Sequence, residues 1–197
     1  MAINSSPAEP VPAAPLTIAV IGSARIEPPD PRCALAERTG AAIAAQGWIT
    51  LTGGYGGLMG VVSRAAAGAG GRVVGLPMRG WTHLTPNQWC DELRWSDTYP
   101  ERFAHLLAAD AMIALDGGIG TLAEAAIAWA SLQTEPEAPD LIFLGEGWGP
   151  VLDAVAGHLV IDDRDMAHVR VCAGPEEAIA HIAGAGRGRR RAGRSRG

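Results

Sequence analysis

The chain runs Ala111-Met-Ile-Ala-Leu115 into Asp116-Gly-Gly-Ile-Gly-Thr-Leu-Ala-Glu124 and on to Leu132. A short, continuously apolar run closed by glycines reads as a buried strand, and the longer apolar stretch from Thr121 reads as a helix. Between them lies a glycine-rich turn whose backbone N–H groups stand at the positive end of the helix dipole, where an anion is favoured. Gly117, Gly118 and Gly120 let the backbone approach a phosphate closely, and Thr121 offers a hydroxyl. Thr121-Leu-Ala-Glu124 also fits a capping box, with Thr121 as N-cap and Glu124 reaching back to it. The local pattern leaves that role and a functional one for Glu124 equally open.

The same strand–turn–helix rhythm extends outward in both directions. Upstream, Thr17–Ile21 is a strand ending at Gly22-Ser23, followed by a helix over Arg32–Gln46 that Gly47 terminates. Trp48–Thr52 is a strand closed by Gly53-Gly54, and the next helix is Leu58–Ala69. Val73–Leu76 is a strand, Met78–Gln88 is irregular, Glu92–Ser96 is a further strand, and Pro100–Ala109 is a helix with proline in its first turn. Downstream come a strand at Leu141–Leu144, a helix at Trp148–His158, a strand at Val169–Val171 and a helix at Pro175–Ile182. Short, wholly apolar strands alternating with helices predict an α/β fold, a Rossmann-like doubly wound parallel sheet in a single domain. That domain is expected over residues 16–183, between a disordered N-terminal extension (1–15) and a disordered Arg-rich tail (184–197).

Ligands of such sheets bind at the carboxyl ends of the strands. Three candidate features fall there: Gly22-Ser23, the run Gly53, Gly54, Gly56 and Gly57 with Met59 following, and Gly117–Thr121. A relaxed dinucleotide fingerprint, Gly118-x-Gly120-x-x-Ala123, is also present, but it stands late in the chain rather than at the first strand–helix turn.

Composition narrows the chemistry. The 197 residues include 26 Gly and 16 basic residues, every one of them Arg. Without Lys there is no Schiff-base lysine, no pyridoxal-phosphate anchor and no Walker-type lysine. A bound phosphate must be held by backbone N–H groups, Arg or hydroxyls. The tail carries six Arg and no acid, which leaves ten Arg against 21 acids, a body of net charge −11. An acidic body is a poor nucleic-acid surface; the tail is either a solvated segment or a contact for nucleic acid or another anionic partner. Cys33, Cys90 and Cys172 form no C-x-x-C pair, and the histidines show no metal-ligand spacing, so no metal site is expected. The N-terminus lacks a signal-peptide pattern and no run is long enough for a membrane span; the expectation is a cytoplasmic protein.

Arg102 stands in the first turn of a helix, where a cation is mildly disfavoured. It either serves a ligand or pairs on the surface with Glu101 or Asp97. Trp81, Trp89 and Trp95 are either a stacking surface for a base or the packing of a long loop or interface.

Taken together, these segments resemble the Lonely Guy (LOG) family, formerly mislabelled as lysine decarboxylases. The resemblance rests on Gly53-Gly-Tyr-Gly-Gly-Leu-Met-Gly60, Glu101-Arg102-Phe103, and Asp116-Gly-Gly-Ile-Gly-Thr-Leu-Ala-Glu124, in that order. It spans about residues 16–182, with Ile21-Gly22-Ser23 resembling the family's first turn. The chain departs from the family pattern at Asp116 (usually Pro), Phe103 (usually basic) and Ala123 (often acidic). The resemblance implies a Rossmann-like fold, a homodimer, and hydrolysis of a nucleoside 5′-monophosphate to free base and ribose 5-phosphate. It implies that Arg102 and Glu124 are the catalytic pair and that the 117–121 turn binds the phosphate, with no cofactor. Related branches of the superfamily bind nucleotides or the molybdenum cofactor without known hydrolysis, and carriage of such a ligand is the alternative function.

Overall fold

The computed structural model describes residues 14–135 and 138–194, with side-chain surroundings up to residue 185. Seven parallel strands form one sheet in the order β4-β3-β2-β1-β5-β6-β7. The strands are β1 (Thr17–Ile21), β2 (Ile49–Thr52), β3 (Val73–Gly75), β4 (Glu92–Leu93), β5 (Ala111–Ala114), β6 (Asp140–Leu144) and β7 (Val169–Cys172). The helices are α1 (Arg32–Ala45), α2 (Gly57–Gly68), α3 (Tyr99–Leu107), α4 (Ile119–Leu132), α5 (Trp148–His158), α6 (Asp163–Met166) and α7 (Pro175–Arg194). The fold is the expected Rossmann-like doubly wound α/β sheet.

Strand alternation feeds two cores. Ile18 and Val20 of β1, with Ile113 of β5, join Ala36 and Ile43 of α1, Leu58 and Val62 of α2, and Ile179 and Ile182 of α7 on one face. Ala19 and Ile21, with Met112 and Ala114, join Leu106 of α3, Ala125 and Trp129 of α4, and Trp148 and Leu152 of α5 on the other. Both faces are covered, so successive residues are all apolar and the strands read as unbroken hydrophobic runs.

From β1 the chain winds outward through β2, β3 and β4. It then crosses back to place β5 on the opposite side of β1. Neighbouring loops part at this reversal and leave a crevice at the carboxyl ends of β1 and β5.

Three elements differ from expectation. The strand expected over Glu92–Ser96 pairs only at Glu92–Leu93, and Ser96 meets the sheet through a single bridge to Met78. It is an edge, and a short edge strand offers little unpaired backbone. Helix α6 was not anticipated; Asp162 and Asp165 form its reciprocal capping box. Helix α7 continues beyond Ile182 to Arg194, so the expected disordered tail is helical from residue 184 to residue 194. The glycines there alternate with Ala and Arg, which are good helix formers and extend a helix already anchored by Ile179 and Ile182. The expected N-terminal extension lies outside the described residues as far as residue 13, as do residues 195–197. Among the described residues no helix is long and apolar enough to cross a membrane.

Candidate active site

Ser23 locks the end of β1 to both neighbouring turns. Its N–H donates to the Asp116 carbonyl at 3.1 Å, and its carbonyl accepts the Leu58 N–H at 2.9 Å. Gly57 makes the second contact possible. It has φ +66°, and a Cβ there would collide with the Ser23 carbonyl and Ala24. Only glycine lets α2 begin so close to the β1 turn.

Arg102 enters from α3. The Thr98 hydroxyl caps that helix by accepting the Glu101 N–H at 3.3 Å, and proline stands in the first turn. The Glu101 carboxylate turns back to accept the Asp97 N–H at 2.7 Å. Arg102 therefore does not pair with either acid near it in sequence. It is buried, at 5% exposure, and its Nε donates to the Leu76 carbonyl at 2.9 Å. Its Nη1 donates to Glu124 Oε1 at 3.0 Å. Its guanidinium carbon lies 5.3 Å from the Trp81 ring centre and 5.9 Å from that of Tyr99. Gly53 makes room on the remaining side: a Cβ there would stand 2.5 Å from Arg102 Nη2 and 2.7 Å from Met59 Sδ.

Glu124 resolves the capping ambiguity. The N-cap of α4 is Gly118 in an extended conformation, no side chain caps the helix, and no acid stands in its first turn. Thr121 lies inside that turn, and the Glu124 carboxylate, 7% exposed, faces Arg102. Burial pushes the Glu124 carboxyl above its ordinary pKa, while the charge and hydrogen bond of Arg102 pull it back only in part. The site holds a carboxylate that is desolvated yet paired with a cation.

These groups line a cavity of about 420 Å³ at the switch point. Gly22, Ser23, Arg25, Gly118, Gly120 and Thr121 form a polar wall, and Tyr55, Met59, Trp81 and Leu84 an apolar one. Tyr99, Arg102 and Glu124 complete the lining.

Several expected ligand residues stand behind this wall. Gly53, Gly54, Gly56, Gly57 and Gly117 do not line the cavity. Gly54, at φ +79°, lies against Gly75; Gly56 is the N-cap of α2; and a Cβ at Gly117 would overlap the Thr121 side chain. The first glycine cluster thus shapes the site by letting backbone and Arg102 pack closely. Its pattern resembles a ligand loop because both uses require a missing Cβ.

Of the three tryptophans, Trp81 reaches the cavity. Trp89 packs beside Gly60, and Trp95 carries Arg79 at 5.7 Å from its ring. Arg25, Leu84 and Tyr99 were missed by sequence reasoning. Arg25 alone had a signal, being a cation two residues beyond a strand-end turn.

Asp116 points away from the cavity. Its carboxylate lies against Gly145 and Gly147, in a neighbouring cavity of about 760 Å³. Glu146 lines that cavity too, so neither acid faces the glycine-rich turn from within the pocket.

Fold and site together define a Rossmann-like α/β protein with a pocket at the topological switch point. The family described as SLOG cluster4 matches residues 15–134, and the chain belongs to it. The cytokinin riboside 5′-monophosphate phosphoribohydrolase of Mycobacterium tuberculosis is 41% identical over 99 residues, covering 48% of this chain and 52% of that protein. The chain thus spans about half the length of the curated relatives it matches. Among solved structures, the molybdenum cofactor binding protein of Rippkaea orientalis is 25% identical with a TM-score of 0.70, covering 87% of this chain and 97% of that one. The molybdenum cofactor carrier protein of Chlamydomonas reinhardtii is also 25% identical, with a TM-score of 0.67 and coverage of 86% and 97%.

Proposed function

We propose that this protein hydrolyses the N-glycosidic bond of a nucleoside 5′-monophosphate, giving free base and ribose 5-phosphate. The observation that carries the proposal is the buried Arg102–Glu124 pair, 3.0 Å apart, beside the uncapped N-terminus of α4. The phosphate binds at Gly118–Thr121 and fixes the ribose. The base lies toward Trp81 and Tyr55, whose rings offer a stacking surface. As the C1′–N bond breaks, positive charge grows on the ribose and the Glu124 carboxylate stabilises it. Glu124 then takes a proton from the attacking water, whose oxygen bonds to C1′, and that proton passes on to the ring nitrogen of the departing base, leaving Glu124 ionised again. Arg102 orients Glu124 and favours its ionised form. Remote phosphate binding places the reacting bond against the carboxylate. No step calls for a metal or a redox cofactor.

Free-base release from a panel of purine and pyrimidine nucleoside monophosphates is the test. Turnover of at least one, lost by 100-fold or more in Glu124→Ala, is expected; no release from any of them rejects the enzymatic reading. A second reading, carriage of a nucleotide-like ligand without turnover, draws on the near-complete structural overlap with the molybdenum cofactor binding protein. It predicts saturable binding that Glu124→Ala leaves largely intact.

We further infer a homodimer, with a second copy on the apolar face of α4 and α5. Leu122, Val151 and Leu159 are large apolar residues exposed there. A groove of about 340 Å³ lined by Ala126, Trp129 and Val155 runs between the two helices.

A further inference from the structure

We propose that Arg25 clamps the phosphate of the ligand and makes the pocket selective for phosphorylated over unphosphorylated nucleosides. The proposal rests on the nucleoside-monophosphate reading and adds a residue outside both the glycine-rich turn and the Arg102–Glu124 pair.

Eight arginines of the described chain are paired with carboxylates: Arg32, Arg38, Arg64, Arg72, Arg79, Arg94, Arg102 and Arg164. Arg25 and Arg170 make no such pair among the described residues, and of these two Arg25 lines the cavity. Its Nη2 lies 3.3 Å from where a Cβ at Gly118 would stand, beside the N-cap of α4. A guanidinium there adds its charge to the positive end of the helix dipole, an arrangement that repels in the absence of an anion. Thr121 supplies an independent sign of a ligand. It is 5% exposed, it lines the same wall, and its hydroxyl has no hydrogen-bond partner among the described residues. The hydroxyl oxygen is reached from the cavity, where a ligand oxygen can accept its proton.

A phosphate dianion answers all three features. Its oxygens accept from the first-turn N–H groups of α4, from the Thr121 hydroxyl and from the fork of Arg25. Local bonding holds Arg25 in place. Its N–H donates to Ser23 Oγ at 3.1 Å, and the Ser23 N–H donates to the Asp116 carbonyl at 3.1 Å. The clamp is therefore tethered to the turn that leads into Gly118. A nucleoside without phosphate leaves both the cation and the helix end unneutralised.

Ribose 5-phosphate is the probe, because every substrate of this class yields it whatever the base. Calorimetry on the full-length protein is expected to show saturable ribose 5-phosphate binding and none of ribose at the same concentration. Arg25→Ala should weaken that binding by about 10- to 100-fold, and Arg25→Lys by less, since it keeps the charge and loses the fork. Added salt should weaken the wild type more than Arg25→Ala. The proposal is overturned if wild-type protein does not bind ribose 5-phosphate, or if Arg25→Ala binds it within twofold of wild type. If no nucleotide releases its base while Arg25-dependent binding persists, the hydrolase reading fails and the clamp stands. If base release proceeds and Arg25→Ala keeps the wild-type KM, the clamp fails and the hydrolase reading stands.

Discussion

Glu124 is pulled in opposite directions by the groups around it. Burial raises its pKa, and Arg102 lowers it through charge and hydrogen bond, with burial prevailing. A carboxylate that must be ionised to act loses activity as pH falls through its folded pKa. The acid limb of kcat/KM is thus expected above the ordinary carboxylate range. Arg102→Ala removes both lowering influences, so the limb should move to still higher pH while the maximal rate falls. A pH–rate profile of the two proteins checks both shifts; a limb that stays put would remove Glu124 as the titrating group. Gly53 bears on the same pair. In Gly53→Ala the new methyl meets Arg102 Nη2 and Met59 Sδ. Activity is expected to fall at least tenfold at a stability cost of about 1–3 kcal/mol, measured by urea unfolding. The double glycine at 53–54 reads as ligand-lining in the sequence, whereas in the fold Gly53 makes room for Arg102 and Gly54 lies against Gly75. A missing Cβ admits a ligand and a buried side chain equally well, and only the position of Arg102 distinguishes them.

Helix starts govern the site at the next scale. Helix α3 begins with a capped first turn, so Arg102 leaves the helix from a fixed base. Thr98→Ala removes that cap and should cost about 1 kcal/mol in chemical denaturation. Activity should stay near wild type, because the guanidinium is held by Leu76 and Glu124 rather than by the cap. Helix α2 begins against the β1 turn, where Gly57 has φ +66° and no room for a side chain. Gly57→Ala is therefore expected to destabilise by more than the cap mutation, about 2 kcal/mol or more, and to disturb the Ser23–Leu58 contact. Helix α4 begins uncapped, which sequence reasoning had left undecided between a capping box and a functional glutamate. Both use a Thr-x-x-Glu spacing; the deciding fact is that the helix starts at Ile119, so Thr121 is already inside it.

The whole molecule adds the switch point and the exposed apolar face. Strand order places the turns after β1 and β5 side by side, and α3 comes across from the far half of the sheet to supply Arg102. Helix α4 carries Glu124 and Thr121 toward the pocket and Leu122 toward the surface it shares with α5. If a second copy covers that surface, light scattering should report a dimer. Val151→Glu, which places a charge on the apolar face, should shift the mass toward monomer without unfolding the chain.

The sequence by itself determined the doubly wound fold and most element boundaries to within two residues, and a family resemblance singled out Arg102 and Glu124. These follow from local signals: unbroken apolar runs, glycine punctuation and a family pattern in fixed order. The extent of α7 was not determined locally, since it depends on what anchors a marginal segment, whereas α6 starts at a local Asp162–Asp165 capping box. Only the tertiary structure decided which glycines meet the pocket, which tryptophan reaches it and which arginine stands unpaired at its rim. Those facts depend on distances between residues far apart in the chain, such as the 3.0 Å between Arg102 and Glu124, and no local pattern encodes them.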